Sequence, residues 1–199
     1  METRIGGAFV LGALVATWVV AQPAQAIWMD LTTEQATRAE KVGGFNASSA
    51  DPTRFMDPWV VNLGDGKGQG AALLMTEFLS VAFAAQEAAR NFQALQPWER
   101  DDAVARGRGK LVFSVTTFDD TPDFADGLRG WVEVGGKRIQ NSHWQNGPAQ
   151  TYRDGLYTAD STFWFPSDGI DPEGTIDLVI EHESAGKVWR FPFDLSKMR

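Results

Sequence analysis

Two acidic loops carry the residue types best suited to inorganic chemistry. Asp119, Asp120, Asp123 and Asp126 follow closely on a strand-like run, while Asp168, Asp171 and Glu173 lie between two later ones. If both loops fall at one end of a sheet, these carboxylates supply the hard oxygen ligands that calcium takes. Their spacing matches no dedicated calcium loop, and Asp and Gly are also what tight turns select for their backbone preferences. Solvated turns are therefore the plainer reading, and Asp119, Asp120, Asp123, Asp126, Asp168 and Asp171 stand as the candidate metal ligands.

The remaining catalytic signals are sparse. His143 sits in the polar stretch 141–146, and His182 ends a strand between Glu181 and Glu183, a setting that suits a ligand, a general base or a solvated strand end. Glu181 and Glu183 share one side of that strand, as a glycoside-cleaving acid pair would, and as exposed strand residues commonly do. No G-x-S-x-G is present, and without cysteine both thiol catalysis and cysteine metal sites are excluded. The glycine-rich stretch 64–70 lies between a short strand-like run and an expected helix, where a phosphate-cradling loop would sit. It lacks G-K-[ST] and the G-x-G-x-x-G spacing, and reads as a turn. No catalytic residue and no cofactor is assigned.

Aromatic residues offer more. The chain has eight tryptophans, and flat rings on a sandwich bury large areas against a sugar or a partner protein. Alternation turns Trp131 and Trp189 inward, whereas Trp144, in its polar surroundings, is the best candidate for an exposed contact. His143 and Tyr152 accompany it as binding-surface candidates.

The elements that must position these residues begin with a leader. Residues 6–21 form an uncharged run rich in Ala, Val and Leu, followed by Pro23 and then Ala24-Gln25-Ala26, the small-x-small pattern of a signal-peptidase site. Residues 1–26 are thus expected to be a signal peptide cleaved after Ala26, leaving no membrane anchor, since about 20 apolar residues are needed to span the hydrocarbon core. The expected location is the bacterial periplasm or the outside of the cell. A net charge of −8 disfavours nucleic acid and anionic lipid as partners.

Beyond the leader, Thr32 and Gln35 form a capping box opening a short, marginal helix that Gly43-Gly44 ends. Residues 27–70 otherwise read as an irregular wrapping segment, with a strand-like interruption at Trp59-Val60-Val61. Residues 71–95 show the clearest helical period, with Leu74, Phe78, Val81, Ala85, Ala88, Phe92 and Leu95 on one buried face. A second helix follows at residues 97–106, opened by Pro97 and closed by Gly107, so that 71–108 forms a helical hairpin. From residue 110 the period becomes two. Strands are expected at 111–118, at 131–134 and 137–139 around a Gly135-Gly136 turn, at 158–165, at 176–181 and at 188–193, with Pro192 marking the last as an edge strand or a bulge.

The runs 71–82, 111–115, 163–166 and 191–196 resemble those of uncharacterised bacterial exported proteins with a helical lead and a C-terminal β-sandwich. The resemblance implies an architecture and an envelope setting, and no catalytic residues. The expected fold is α+β: an N-terminal helical hairpin packed on an antiparallel immunoglobulin-like β-sandwich at residues 109–199, with 71–199 as one cooperative unit. The expected function is non-catalytic binding of an envelope protein or polymer. The alternatives are a carbohydrate-binding or hydrolytic secreted protein, and a calcium-dependent adhesion module.

Overall fold

The computed structural model describes residues 27–182 and 186–198. The leader, its cleavage after Ala26, Glu183 and the first two residues of the turn 184–186 lie outside the described residues.

The chain is a mixed α+β protein built on two antiparallel sheets. Helix α1 (Thr33–Asn46) leads through a 3-10 turn (Arg54–Trp59) to β1 (Val60–Asn62) and β2 (Gly70–Met75), then to α2 (Glu77–Arg90) and α3 (Pro97–Gly107). Strands β3 (Lys110–Asp119), β4 (Leu128–Val134), β5 (Lys137–Gln140), β6 (His143–Asn146), β7 (Gln150–Thr151), β8 (Tyr157–Pro166), β9 (Thr175–His182) and β10 (Lys187–Asp194) complete it. The first sheet runs β1-β2-β3-β8-β6, with β7 also on β8, and the second runs β10-β9-β4-β5.

The strands expected from residue 110 onward are all present, and Pro192 does lie on an edge strand, where its missing N–H leaves no central ladder broken. The Gly135-Gly136 turn carries the two positive φ angles, 54° and 79°, that a two-residue β4–β5 hairpin requires.

The run 71–75 corrects the helical reading of residues 71–95. Ala72 and Leu74 are buried while Ala71, Leu73 and Met75 are half-buried, an alternation of two, and β2 pairs with β3 from Gly70↔Thr117 to Met75↔Val112. A short apolar run cannot be assigned by periodicity alone. The helix starts only where Thr76 caps it, its Oγ1 accepting the Leu79 N–H at 3.2 Å.

Helix α1 is also longer than expected, because Gly43 is a contact and not a stop. The residue is buried, and a Cβ built on it would lie 1.9 Å from the Ala82 carbonyl oxygen of α2. Glycine thus lets two helix backbones approach closely. The capping box is present as read, with Thr32 Oγ1 accepting from Gln35 N–H and the Gln35 side chain accepting from Thr32 N–H.

One hydrophobic cluster runs from the helices through both sheets. It joins Ala39, Phe78, Leu79 and Ala82 to Leu74, Phe113, Phe163 and Phe165 of the first sheet, and to Leu178, Ile180, Trp189, Phe191 and Phe193 of the second. Phe113 meets Phe165 of its own sheet edge-on at 5.7 Å and Phe193 of the other sheet at 5.2 Å between ring centroids, so the second contact joins the layers. Trp131 breaks the inward expectation. It is buried on the outer face of the second sheet, where its Nε1 donates to Glu133 at 2.9 Å and the Arg138 guanidinium lies 3.8 Å from the ring centroid. Arginine stacking, not the core, covers it.

Candidate functional site

The described chain after residue 26 begins firmly anchored: Ile27 is buried and its N–H donates to the Leu195 carbonyl at 3.2 Å. Trp28 then packs on Phe78 at 5.2 Å, and Leu31 N–H donates to Glu77 Oε2 at 2.9 Å. Glu77 is itself buried, its Oε1 without a hydrogen-bond partner among the described residues, and burial pushes its carboxyl above the ordinary value despite the Leu31 bond.

The acidic residues do not assemble. β3 and β8 are antiparallel from Lys110↔Pro166 to Asp119↔Tyr157, so Asp119, Asp120, Asp123 and Asp126 leave one end of the sheet and Asp168 and Asp171 lie beyond the other. Ten residues of strand place these ends about 30 Å apart. The two loops therefore do not meet at a shared end of the sheet.

The individual carboxylates are engaged locally. Asp119, fully buried, receives Lys187 Nζ at 2.5 and 2.6 Å on its two oxygens, and Asp120 N–H at 2.6 Å. Asp120 pairs with Lys67, whose ammonium holds its carboxyl well below the usual carboxylate range. Asp171 accepts the Glu173 N–H at 2.9 Å, closing its own turn. Among the described residues no three His, Asp or Glu side chains gather as a metal would require.

The glycine-rich stretch 64–70 connects β1 to β2, two antiparallel strands, and no helix follows it directly. Its contacts are those of a hairpin loop: Leu63 N–H to Gly70 O at 2.8 Å and Gly66 N–H to Gln69 Oε1 at 2.9 Å. The strand-to-helix context of a phosphate loop is therefore absent.

The three aromatic candidates divide. His143 and Trp144 belong to the short strand β6, which follows β5 of the second sheet but pairs with β8 of the first. Asn146 Nδ2, donating to Leu128 O at 3.0 Å, ties this crossing strand back to β4. Opposed residues share a face, so the pairings Met75↔Val112, Val112↔Trp164 and Trp164↔His143 set a row of four side chains on the outer face of the first sheet. The His143 and Trp164 rings lie 4.9 Å apart at 44°. Trp144 opposes Phe163 and turns to the other face, yet at the sheet edge it stays 50% exposed.

Tyr152 is elsewhere. Its position beyond Thr151, which pairs with Tyr157, puts it some seven strand positions or about 23 Å from the His143 end of β8. Its ring packs 4.8 Å from Phe118, and its Oη donates to Asp65 at 3.2 Å beside the Arg153–Asp65 ion pair. That network pins the β1–β2 loop and leaves Tyr152 half-buried.

Next to the His143–Trp164 stack, α2 and α3 leave a groove of about 460 Å³ over the outer face of the first sheet. Met75, Val112 and Trp164 form its floor, Phe83 one wall, and Glu87 and Arg106 are its charged groups. Its floor is apolar and its polar groups are few and confined to the helix side. A helix over 71–75 would leave no such groove, because its floor exists only with Met75 on a strand beside Val112.

A second exposed aromatic set also escaped the periodicity. Phe92 is 99% exposed and Trp98 64% exposed, although the period of three and four put Phe92 on the buried face. The helix ends at Arg90, so the periodic frame no longer applies to Phe92. Asn91, a residue frequent at helix ends, was the available signal.

No family model matches the chain, and no curated protein matches it. Among solved structures it is similar to IgNAR antibody domain C1, with 9% sequence identity and a TM-score of 0.31 over 45% of this chain and 79% of that domain.

Proposed function

We propose that the protein is a non-catalytic, exported binding protein of the bacterial envelope, released by cleavage after Ala26 to work in the periplasm or outside the cell. In this reading α2 and α3 act as a helical hairpin flanking an immunoglobulin-like sandwich, and residues 71–199 unfold as one unit. The binding face is the edge formed by β6 and the adjoining groove. Its partner is another envelope protein.

The observation that carries the proposal is the exposed Trp144 on the crossing strand, beside the His143–Trp164 stack that borders the groove. A half-exposed tryptophan at a sheet edge is the kind of residue that binding hot spots are made of, and here it faces away from the groove, so the edge presents aromatic surface on both sides. The test is affinity capture of partners from envelope extract by the mature protein and by Trp144→Ala. Loss of a specific partner with unchanged folding supports the reading, and identical partner sets contradict it.

A second reading, binding of an envelope polysaccharide, draws on the same rings, because sugar faces stack on flat aromatic platforms. Soluble glycans that quench tryptophan fluorescence in the native protein but not in Trp144→Ala would favour the polymer over the protein partner.

A further inference from the structure

The turn between α2 and α3 breaks two local rules at one residue. Helix α2 ends in a Schellman motif: Phe92 N–H donates to Ala89 O at 3.0 Å and Gln93 N–H to Ala88 O at 2.9 Å. The residue at the left-handed position of that motif is ordinarily glycine, because a side chain there crowds the backbone. Here it is phenylalanine, at φ 57°.

The ring gains nothing from the fold in return. Phe92 is 99% exposed, and its neighbours Asn91, Gln93, Ala94 and Gln96 are exposed as well, so the turn projects from the body. Trp98, at the second residue of α3, adds a ring that is 64% exposed. A strained backbone and an unburied ring at one position favour a role outside the free protein's own stability.

The surroundings define the partner's chemistry. Beside Trp98, Glu87, Glu99 and Asp102 line a shallow depression with Arg106 as its cation. Glu99 accepts the Gln96 N–H in the α3 capping box, while Glu87 and Asp102 make no ion pair among the described residues. An acidic border repels anionic lipid headgroups and complements lysine or arginine.

We propose that the α2–α3 turn is a protein-docking knob, in which Phe92 and Trp98 enter an apolar cleft bordered by basic side chains on a partner protein. The rings of the knob lie outside the groove beside β6, whereas the depression and that groove share Glu87 and Arg106, so Phe92→Gly is the variant that tells the two sites apart. Because Phe92 serves the partner and strains the free chain, Phe92→Gly should raise the folded-to-unfolded ratio about fivefold while removing the interaction.

The experiment places a photo-crosslinking residue at position 98 of the full chain in its native cells, with and without Phe92→Gly, and with Glu87→Gln/Asp102→Asn. The expected result is one discrete adduct to another protein. It falls at least tenfold in Phe92→Gly and about threefold in the double amide variant, while purified Phe92→Gly unfolds at a higher urea concentration than the parent. The proposal is overturned by an adduct that survives Phe92→Gly, or by a Phe92→Gly protein less stable than the parent, which would mean that the ring packs. It is equally overturned by an adduct only to a second copy of the chain. Phe92-dependent co-sedimentation with phosphatidylcholine or phosphatidylglycerol vesicles would assign the knob to a bilayer instead.

Discussion

Replacing Lys187 with methionine tests an ion pair that joins the two sheets through a buried carboxylate. Lys187 begins β10 in the second sheet, and Asp119 ends β3 in the first. Asp119 is fully buried and takes Lys187 on both carboxylate oxygens. Removing one partner of a buried pair costs about 3–5 kcal/mol, because the other charge is left without compensation. Two features lower that figure: the Lys187 side chain is 32% exposed, so solvent already screens part of the attraction, and the Asp120 N–H still holds Asp119 Oδ1. The expected loss for Lys187→Met is therefore about 2–3 kcal/mol at neutral pH. Urea unfolding followed by tryptophan fluorescence measures it, with a lowered midpoint and an unchanged slope. The double variant Asp119→Leu/Lys187→Met removes both charges and should recover most of the loss. The Lys187 ammonium is held above its ordinary value chiefly by its bond to Asp119. The stability it supplies is thus complete below the ordinary lysine value of 10.5 and disappears as pH rises through the higher folded value. The alkaline fall in stability should be steeper in the parent than in Lys187→Met. A single variant within about 0.5 kcal/mol of the parent, the range of ordinary surface substitutions, would refute the bridge.

Gly43→Ala should destabilise by about 2 kcal/mol in a thermal melt despite alanine's better helix propensity, because the added methyl lands 1.9 Å from the Ala82 oxygen and forces α1 from α2. Glu77→Gln keeps an acceptor for Leu31 N–H and deletes a buried charge. Since burial raises the folded carboxyl above the ordinary 4.5, the parent loses stability as pH climbs from that value through the raised one, and the variant should lack this descent in a pH series of urea midpoints. Millimolar calcium and a chelator should leave the melting temperature equal within about 1 °C, because the two acidic loops leave opposite ends of β3 and β8, whereas a binding cation would stabilise by mass action.

Much of this architecture was legible in the order of residues, and the failures share a cause. Alternation is unambiguous over β3, β8, β9 and β10 because each is eight to ten residues long, and a one-residue slip would expose an entire apolar face. β2 has six residues ahead of a real helix, and its Ala-Ala-Leu-Leu-Met run satisfies either period. A helical 71–75 contains no strand partner for Val112, so the outer-face row Met75–Val112–Trp164–His143 is not legible without the pairing of β2 to β3. Strand β6 is four residues of polar and aromatic character, defined by pairing to β8 and not by its own composition. Trp144 was nonetheless identifiable, because its polar neighbours gave it no apolar face to share. Trp131 was not, because a tryptophan roofed by arginine and one packed in a core present the same alternation.

Photo-crosslinking from two positions of matched exposure tests the binding reading most directly. Trp144 is 50% exposed on β6, and Val188 is 52% exposed on β10. With the reactive residue at 144 in the intact cell envelope, a discrete adduct is expected that is absent when the residue is at 188. Equal labelling from both positions, or none from 144, would contradict it.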